Sequence, residues 1–153
     1  MQGTGNELRG TRPKMIFREA IESDYDYMVE NSINNKTDRK LQPIIDYEYT
    51  LEHEGDILGV GGFRMVTEVT AWCWVNFSEV GVHTTMTNLK ETYRASRDWI
   101  NAWALSHDMK RIQAFVEDSE EEIRLVRHLG FEQESIMKNF FGERDGLMYV
   151  RIF

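Results

Sequence analysis

The spacing of hydrophobic residues divides the chain into strand-like and helix-like segments. Strands are predicted where apolar residues form short runs, or where they alternate with polar ones as Tyr47, Tyr49 and Leu51 do. The segments that fit these patterns are 15–19, 46–52, 57–66, 71–77, 112–116, 131–141 and 147–153. The segment 71–77 carries no charge, so we expect a central strand that is covered on both faces.

Helices are predicted from apolar residues at three- and four-residue steps and from signals at helix ends. The longest helix is capped at Thr85 or Thr87 and runs to about Ser106. A short helix is capped at Ser119 and stops at Gly130, which takes the left-handed position that follows many helix ends.

Turn residues and caps connect the remaining segments. A first helix is predicted to start at a cap formed by residues 23–24, and hairpin turns are predicted at 54–56 and 142–146. Gly59 and Gly61 lie inside a strand pattern, where glycine indicates either a bulge or a close approach of another backbone.

The element order is β-α-(α?)-β-β-β-α-β-α-β-β, which predicts a mixed α/β (α+β) fold. We expect a central mixed sheet of six or seven strands with helices on both faces, in which 71–77 and 111–116 are parallel neighbours. Residues 1–14 are interpreted as a flexible leader and residues 15–153 as a single domain. Residues predicted to be buried are Trp74, Phe77, Leu89, Ile100, Trp103, Phe115, Leu129 and Phe131.

Composition and charge narrow the classes of function. The chain has 153 residues, 41% of them hydrophobic, and a formal charge of −8, which argues against binding along a nucleic-acid backbone. No apolar run approaches the ~20 residues of a membrane span, and no metal ligands are assigned. The single cysteine, Cys73, is interpreted as a buried hydrophobe rather than a nucleophile, and it suits a cytoplasmic location.

The segment 111–131 is the most specific part of the sequence. Its strand, its short helix and its closing Leu-Gly-Phe, together with the element order of residues 15–153, resemble the GNAT superfamily of N-acyltransferases. The resemblance implies transfer of an acyl group, usually acetyl, from CoA to the amine of a small molecule or a protein. Acetyl-CoA or another acyl-CoA is therefore the expected cofactor.

The resemblance also implies where acyl-CoA would bind. In this superfamily the pantetheine arm lies between two splayed central strands, and the pyrophosphate rests on amides at the start of the long helix. The usual loop Arg/Gln-x-x-Gly-x-Gly/Ala is degenerate in residues 78–90. The candidate cofactor-binding residues are Phe77, Ser78, Val80, His83, Thr84, Thr85, Thr87, Asn88, Lys90, Arg94 and Ser119.

The expected general acid of the superfamily is a tyrosine, and its position is taken here by Val126. Glu79 and His83 are the candidate catalytic residues in its place, because each follows the central strand and can exchange a proton. The simpler interpretation of both is as solvated loop residues. Lys90 and Arg94 likewise fit either an anion site or a solvated helix face.

An alternative function follows from a looser resemblance to GNAT-like structural proteins of short-tailed bacteriophages. Its basis is the lost glycine loop, the spacing from Trp74 to Ser78, and the Ile-Arg…Gly-Phe closure. In that case the chain would be a catalytically inactive virion or host-interaction protein. A CoA-binding module without turnover is a third interpretation, and a homodimer or a phage or host partner is left open.

Overall fold

The computed structural model describes residues 15–32, 46–79 and 86–153, with side chains from residue 89 onward in the last range. The predicted leader and the uncertain second helix lie outside the described residues. The element order is otherwise the predicted one. The elements are β1 (Met15–Glu19), α1 (Glu22–Asn31), β2 (Tyr47–His53), β3 (Asp56–Met65), β4 (Thr70–Phe77), α2 (Met86–Ser106), β5 (Arg111–Glu117), α3 (Glu120–His128), β6 (Glu132–Phe141) and β7 (Arg144–Ile152).

The described strands form one mixed sheet in the order β1-β2-β3-β4-β5-β7-β6. Its neighbours are antiparallel except for β4 and β5, which run parallel. The long helix α2 connects these two parallel strands, as a parallel pair requires of its crossover. The predicted fold class, the central place of β4 and its parallel pairing with β5 are confirmed.

One face of the sheet is covered by α2 and α3. The ring of Phe63 on β3 stacks on Trp103 at 3.7 Å between centroids, and Tyr49 meets Trp99 edge to face at 4.5 Å. Ile100 lies in the same cluster. The other face is covered in part by α1, whose buried residues pack against β3 and β4. Helices therefore lie on both faces, and the larger core lies under α2.

The predicted core is mostly confirmed. Phe77, Ile100, Trp103, Leu129 and Phe131 are buried, and Trp74 and Leu89 are half-buried. The prediction for Phe115 was wrong, because 39% of this residue is exposed. Its neighbours Ala114 and Val116 face the core under α2 and α3, so Phe115 points to the opposite face. On that face it contacts Trp72, so β4 is not covered along its whole second face.

Two predicted boundaries were also wrong. The first helix begins at Glu22 rather than after residues 23–24, because Asp24 turns back and accepts a hydrogen bond from the Ile21 N–H at 2.9 Å. The last hairpin turn is shorter than 142–146, since β7 already begins at Arg144. In both places a side chain or a backbone pairing extends a regular element beyond its local sequence signal.

Gly59 and Gly61 in β3 allow β4 to approach closely. A Cβ atom at Gly59 would lie 2.8 Å from the Asn76 carbonyl oxygen, and one at Gly61 would lie 2.7 Å from that of Trp74. Close approach of another backbone, one of the two explanations open from the sequence, applies at both glycines, and the other, a bulge, applies beside Gly59. Leu51 pairs with Gly59 and Glu52 pairs with Ile57, so Leu58 is an extra residue in β3 and forms a bulge directly before Gly59.

Candidate active site

The strands β4 and β5 pair only at one end. Their register runs from Thr70 opposite Arg111 to Trp72 opposite Gln113. Beyond these pairs β4 continues to Phe77 along β3, and β5 continues to Glu117 along β7. The two parallel strands therefore separate, and their facing edges border a gap in the middle of the sheet.

The gap is a cavity of about 280 Å³ that reaches both faces of the sheet. Leu125 and Val126 of α3 border it on one face, and Trp74 and Phe115 border it on the other. Its walls are largely apolar, while the strand edges beside it carry backbone donors and acceptors. Such a site suits a narrow, extended ligand that adds to strand edges.

Glu122 is a polar residue of this gap that sequence reasoning did not single out. Its carboxylate accepts a hydrogen bond from the Glu117 N–H at 2.6 Å, which holds the start of α3 against the end of β5. The Ser119 hydroxyl accepts a hydrogen bond from the Glu122 N–H at 3.3 Å and caps the helix as predicted. The Ser-x-x-Glu spacing was the available signal.

The residues at the end of β4 that were predicted to belong to the site differ in burial and in their contacts. Phe77 is buried and contacts Tyr93 of α2 edge to face. The buried Ser78 hydroxyl donates to the Ile57 carbonyl at 2.6 Å, which ties β4 to β3. Glu79 is exposed just beyond the strand. The residues that lie outside the described part are Val80, His83, Thr84 and Thr85, with the side chains of Thr87 and Asn88.

Val126 occupies the position that the superfamily resemblance gives to a tyrosine. It is buried and lines the gap. Its aliphatic side chain carries no proton to exchange. Any proton transfer at this gap must therefore use another residue.

Basic side chains gather where α2 meets α3. Lys90 and Arg94 are exposed on α2, and between them Tyr93 stacks on His128 of α3 at 5.4 Å. Burial raises the pKa of Tyr93, and the nearby charge of Arg124 partly opposes this rise. In a chain with a net charge of −8, this junction is a local basic edge.

Two further properties of the described residues bear on function. No three His, Cys, Asp or Glu side chains among residues 15–32, 46–79 and 86–153 gather as a metal site would require. Within the same residues, every helix is too short or too polar to cross a membrane.

Comparison with known proteins identifies the fold. No protein-family model matches the sequence, and no curated protein matches it. A GNAT family acetyltransferase from Elizabethkingia anophelis, solved with acetyl-CoA bound, superposes with a TM-score of 0.69 over 93% of this chain and 100% of its own, at 15% identity. The ribosomal-protein-S18-alanine N-acetyltransferase of Escherichia coli gives 0.67 over 91% and 94%, at 14% identity.

A spermidine/spermine N-acetyltransferase from Vibrio cholerae gives a TM-score of 0.65 over 91% of this chain and 92% of its own, at 9% identity. These likenesses span nearly the whole of both chains in each comparison. The protein therefore has the fold of the GNAT acetyltransferases, which confirms the fold that the sequence resemblance implied.

Proposed function

We propose that the protein is an N-acyltransferase that binds acyl-CoA, with acetyl-CoA as its first candidate, in the gap between β4 and β5. The observation that carries the proposal is the separation of these strands beyond Trp72 and Gln113. A parallel pair normally continues its ladder along both strands. Here the ladder stops inside the domain, and a cavity of about 280 Å³ takes its place.

The residues of the gap fit the pantetheine arm of CoA. The arm is narrow and carries amide groups, which can pair with the facing edges of the two strands. Val75, Leu125 and Val126 supply apolar walls against its methylene groups. The similar structure from Elizabethkingia anophelis contains acetyl-CoA, so this fold accommodates that molecule.

The start of α2 and its basic edge would hold the phosphates. The first amides of a helix have no partner within it, and the helix dipole favours an anion there. Lys90 and Arg94 lie one and two turns into α2, and they bring positive charge to the same end. The further phosphate contacts we propose are those of Val80, His83, Thr84, Thr85, Thr87 and Asn88.

When bound, acyl-CoA supplies an activated acyl thioester. The apolar walls of the gap exclude water from it, and backbone amides at the strand edges would polarise its carbonyl group. An attacking amine must lose a proton, and the departing thiolate must gain one. We propose Glu79 and His83 for these transfers, since Val126 has no proton to exchange. Positioning of the amine next to the thioester would then contribute more to the rate than acid–base catalysis.

Val126 also favours a second candidate function, in which the protein binds acyl-CoA but does not catalyse acyl transfer. A protein that lacks the tyrosine of its relatives could retain the gap and lose the reaction. Both candidates include a cytoplasmic location, where acyl-CoA is available. If acyl-CoA does not bind, the structural role implied by the phage resemblance takes their place.

Calorimetric titration followed by a thiol-release assay separates these functions. The enzyme proposal expects acetyl-CoA to bind with sub-millimolar affinity and release CoA faster when an amine is added. Binding without amine-dependent release would support the second candidate function. Absence of binding at millimolar acetyl-CoA would contradict both candidates.

A further inference from the structure

A row of aromatic side chains lies on the sheet face opposite α2 and α3. Trp72 of β4 meets Phe115 of β5 at 3.9 Å between ring centroids, and Phe115 meets Phe140 of β6 at 4.7 Å. Phe115 is 39% exposed and Phe140 is 45% exposed. These three residues, called the aromatic row below, form a continuous apolar surface of the kind that commonly marks a binding site.

The backbone around Phe140 is shaped to place its ring in the row. The pairing of β6 with β7 shifts between Met137 and Phe141, and Asn139 within this stretch has a φ of 56°. Phe140 packs over Gly146, where an added Cβ would lie 3.0 Å from the Phe140 Cβ and Cδ1 atoms. A side chain at position 146 would press on the ring, which would have to shift by a few tenths of an ångström.

The aromatic row begins at the gap. Phe115 belongs to both, because its side chain lines the cavity as well as the exposed face. Under the proposed function, the phosphates of acyl-CoA lie at the start of α2 and its arm enters from the side of α2 and α3. The acceptor amine must then approach from the other face, which is the face of the row.

Two carboxylates on β5 and β6, the strands that carry Phe115 and Phe140, are paired with arginines. Glu117 receives a hydrogen bond from Arg144 at 2.9 Å, and Glu134 binds Arg111 through two bonds of 2.6 Å. An acceptor with several positive charges needs carboxylates that are not committed to arginines. The row instead offers flat apolar surface, to which aromatic groups bind by stacking.

We propose that the acceptor is a monoamine carried on an aromatic or similarly flat apolar group, which stacks on the aromatic row while its nitrogen enters the gap. This inference rests on the proposed acyltransferase function. It names the class of acceptor and gives Phe140 the role of a specificity-determining residue. Phe140 lies outside the gap, so its role is separate from the binding of acyl-CoA.

The test is a steady-state comparison of acceptors with acetyl-CoA as donor. The acceptors are 2-phenylethylamine, butylamine, spermidine and a peptide that begins with alanine. We expect 2-phenylethylamine to have the highest kcat/KM. Phe140→Ala should raise KM for 2-phenylethylamine roughly five- to tenfold, the scale of one lost aromatic contact, and leave KM for acetyl-CoA unchanged. Gly146→Ala should act in the same direction by displacing the ring.

Ile136→Ala is the matched control. Ile136 lies on the same strand and is 55% exposed, but it pairs with Leu147, which faces the core under α2 and α3. This variant should leave every KM unchanged. Thermal unfolding of each variant shows whether it remains folded. If Phe140→Ala does not fold, Phe140→Leu takes its place as a milder change.

The outcomes distinguish the two proposals. Turnover with a preference for spermidine, the peptide or butylamine would overturn the inference and leave the acyltransferase function standing. A dimer in sedimentation experiments that Phe140→Ala dissociates would overturn it as well, because the row would then be covered by a second copy. Failure of acetyl-CoA to bind would remove the acyltransferase function itself, and the inference with it.

Discussion

Asp24 is a buried carboxylate that fastens α1 to the edge of the sheet. Arg18 donates to both of its oxygens, at 2.8 and 2.9 Å, and the Thr50 hydroxyl donates at 2.8 Å. Burial by itself raises the pKa of Asp24. The hydrogen bonds from Arg18, from the Ile21 N–H and from Thr50 outweigh burial, so the pKa lies below its ordinary value of 3.8.

Replacing Asp24 with Asn should lower the free energy of unfolding at pH 7 by about 2–3 kcal/mol, the scale of lost hydrogen bonds to a charged group. Because the folded-state pKa of Asp24 is below the unfolded value, its stabilisation is complete above pH 3.8. The stabilisation is lost as the pH falls through the folded-state pKa. Urea unfolding of both proteins from pH 7 to pH 2 measures the difference, which should shrink at the acid end.

Glu52→Gln is the control for this prediction. Glu52 also binds Arg18, at 2.9 Å, but its side chain is 25% exposed and that of Asp24 is 2% exposed. The control should cost clearly less stability, because exposed ion pairs contribute little. An equal loss of stability in the two variants would show that the burial of Asp24 does not strengthen its contribution.

Cys73 shows the effect of burial on a neutral side chain. Burial raises the pKa of its thiol to about 12, so only a very small fraction is thiolate at pH 8. We expect a thiol reagent at pH 8 to modify the native protein slowly and the urea-unfolded protein fully. Rapid, complete modification of the native protein would show that the gap beside Cys73 opens far enough to admit the reagent.

Local signals along the chain predicted the helices and strands well. They predicted less well which side chains of a strand are buried by the helices on either face of the sheet. Ser119 and Gly130 fix the ends of α3 through a hydrogen bond and a left-handed φ of 89°, which depend on neighbouring residues only. Phe115 lies in an apolar strand, but its burial depends on how far α1 extends over the sheet. No local pattern encodes that distance.

Two side chains at the start of α3, Ser119 and Glu122, should each contribute to the stability of this helix. Ser119→Ala removes the cap and should cost about 1 kcal/mol. Glu122→Ala removes the acceptor of the Glu117 N–H and should cost about 1–2 kcal/mol. Because Glu122 joins α3 to β5 at the gap, its loss should also weaken acetyl-CoA binding under the proposed function. Urea unfolding and calorimetry measure the two effects.

Glu121→Ala is the matched control, since Glu121 is exposed in the same helical turn. It should leave stability and acetyl-CoA affinity close to those of the wild type. If Glu121→Ala and Glu122→Ala behave alike, the first turn of α3 acts through its total charge. The bond to β5 would then have no special part.

At the scale of the whole molecule, the sequence predicted the sheet but not the gap. The separation of β4 from β5 depends on two strands that lie more than thirty residues apart, joined by α2. Only the resemblance to a known superfamily implied it. The same resemblance led to Val126, whose place on the gap the structure then showed. The aromatic row depends on packing across the sheet, so the sequence pattern alone did not select it, whereas Glu122 had a local signal in its Ser-x-x-Glu spacing.

Under the proposed function, acyl-CoA bound in the gap should stabilise the folded protein. A ligand that binds only the folded state at a hundred times its Kd stabilises that state by about 2.7 kcal/mol. For a protein of this size, each kcal/mol of added stability raises Tm by about 2–4 °C. Acetyl-CoA at a hundred times its Kd should therefore raise Tm by roughly 5–10 °C. Lys90→Ala with Arg94→Ala should weaken binding by about 1–3 kcal/mol and reduce this shift in proportion, by at least about 2 °C. Lys110→Ala, an exposed cation beyond the other end of α2, is the control and should keep the full shift. A shift that the double replacement leaves undiminished would place the phosphates away from α2, and no shift in any variant would contradict binding in the gap.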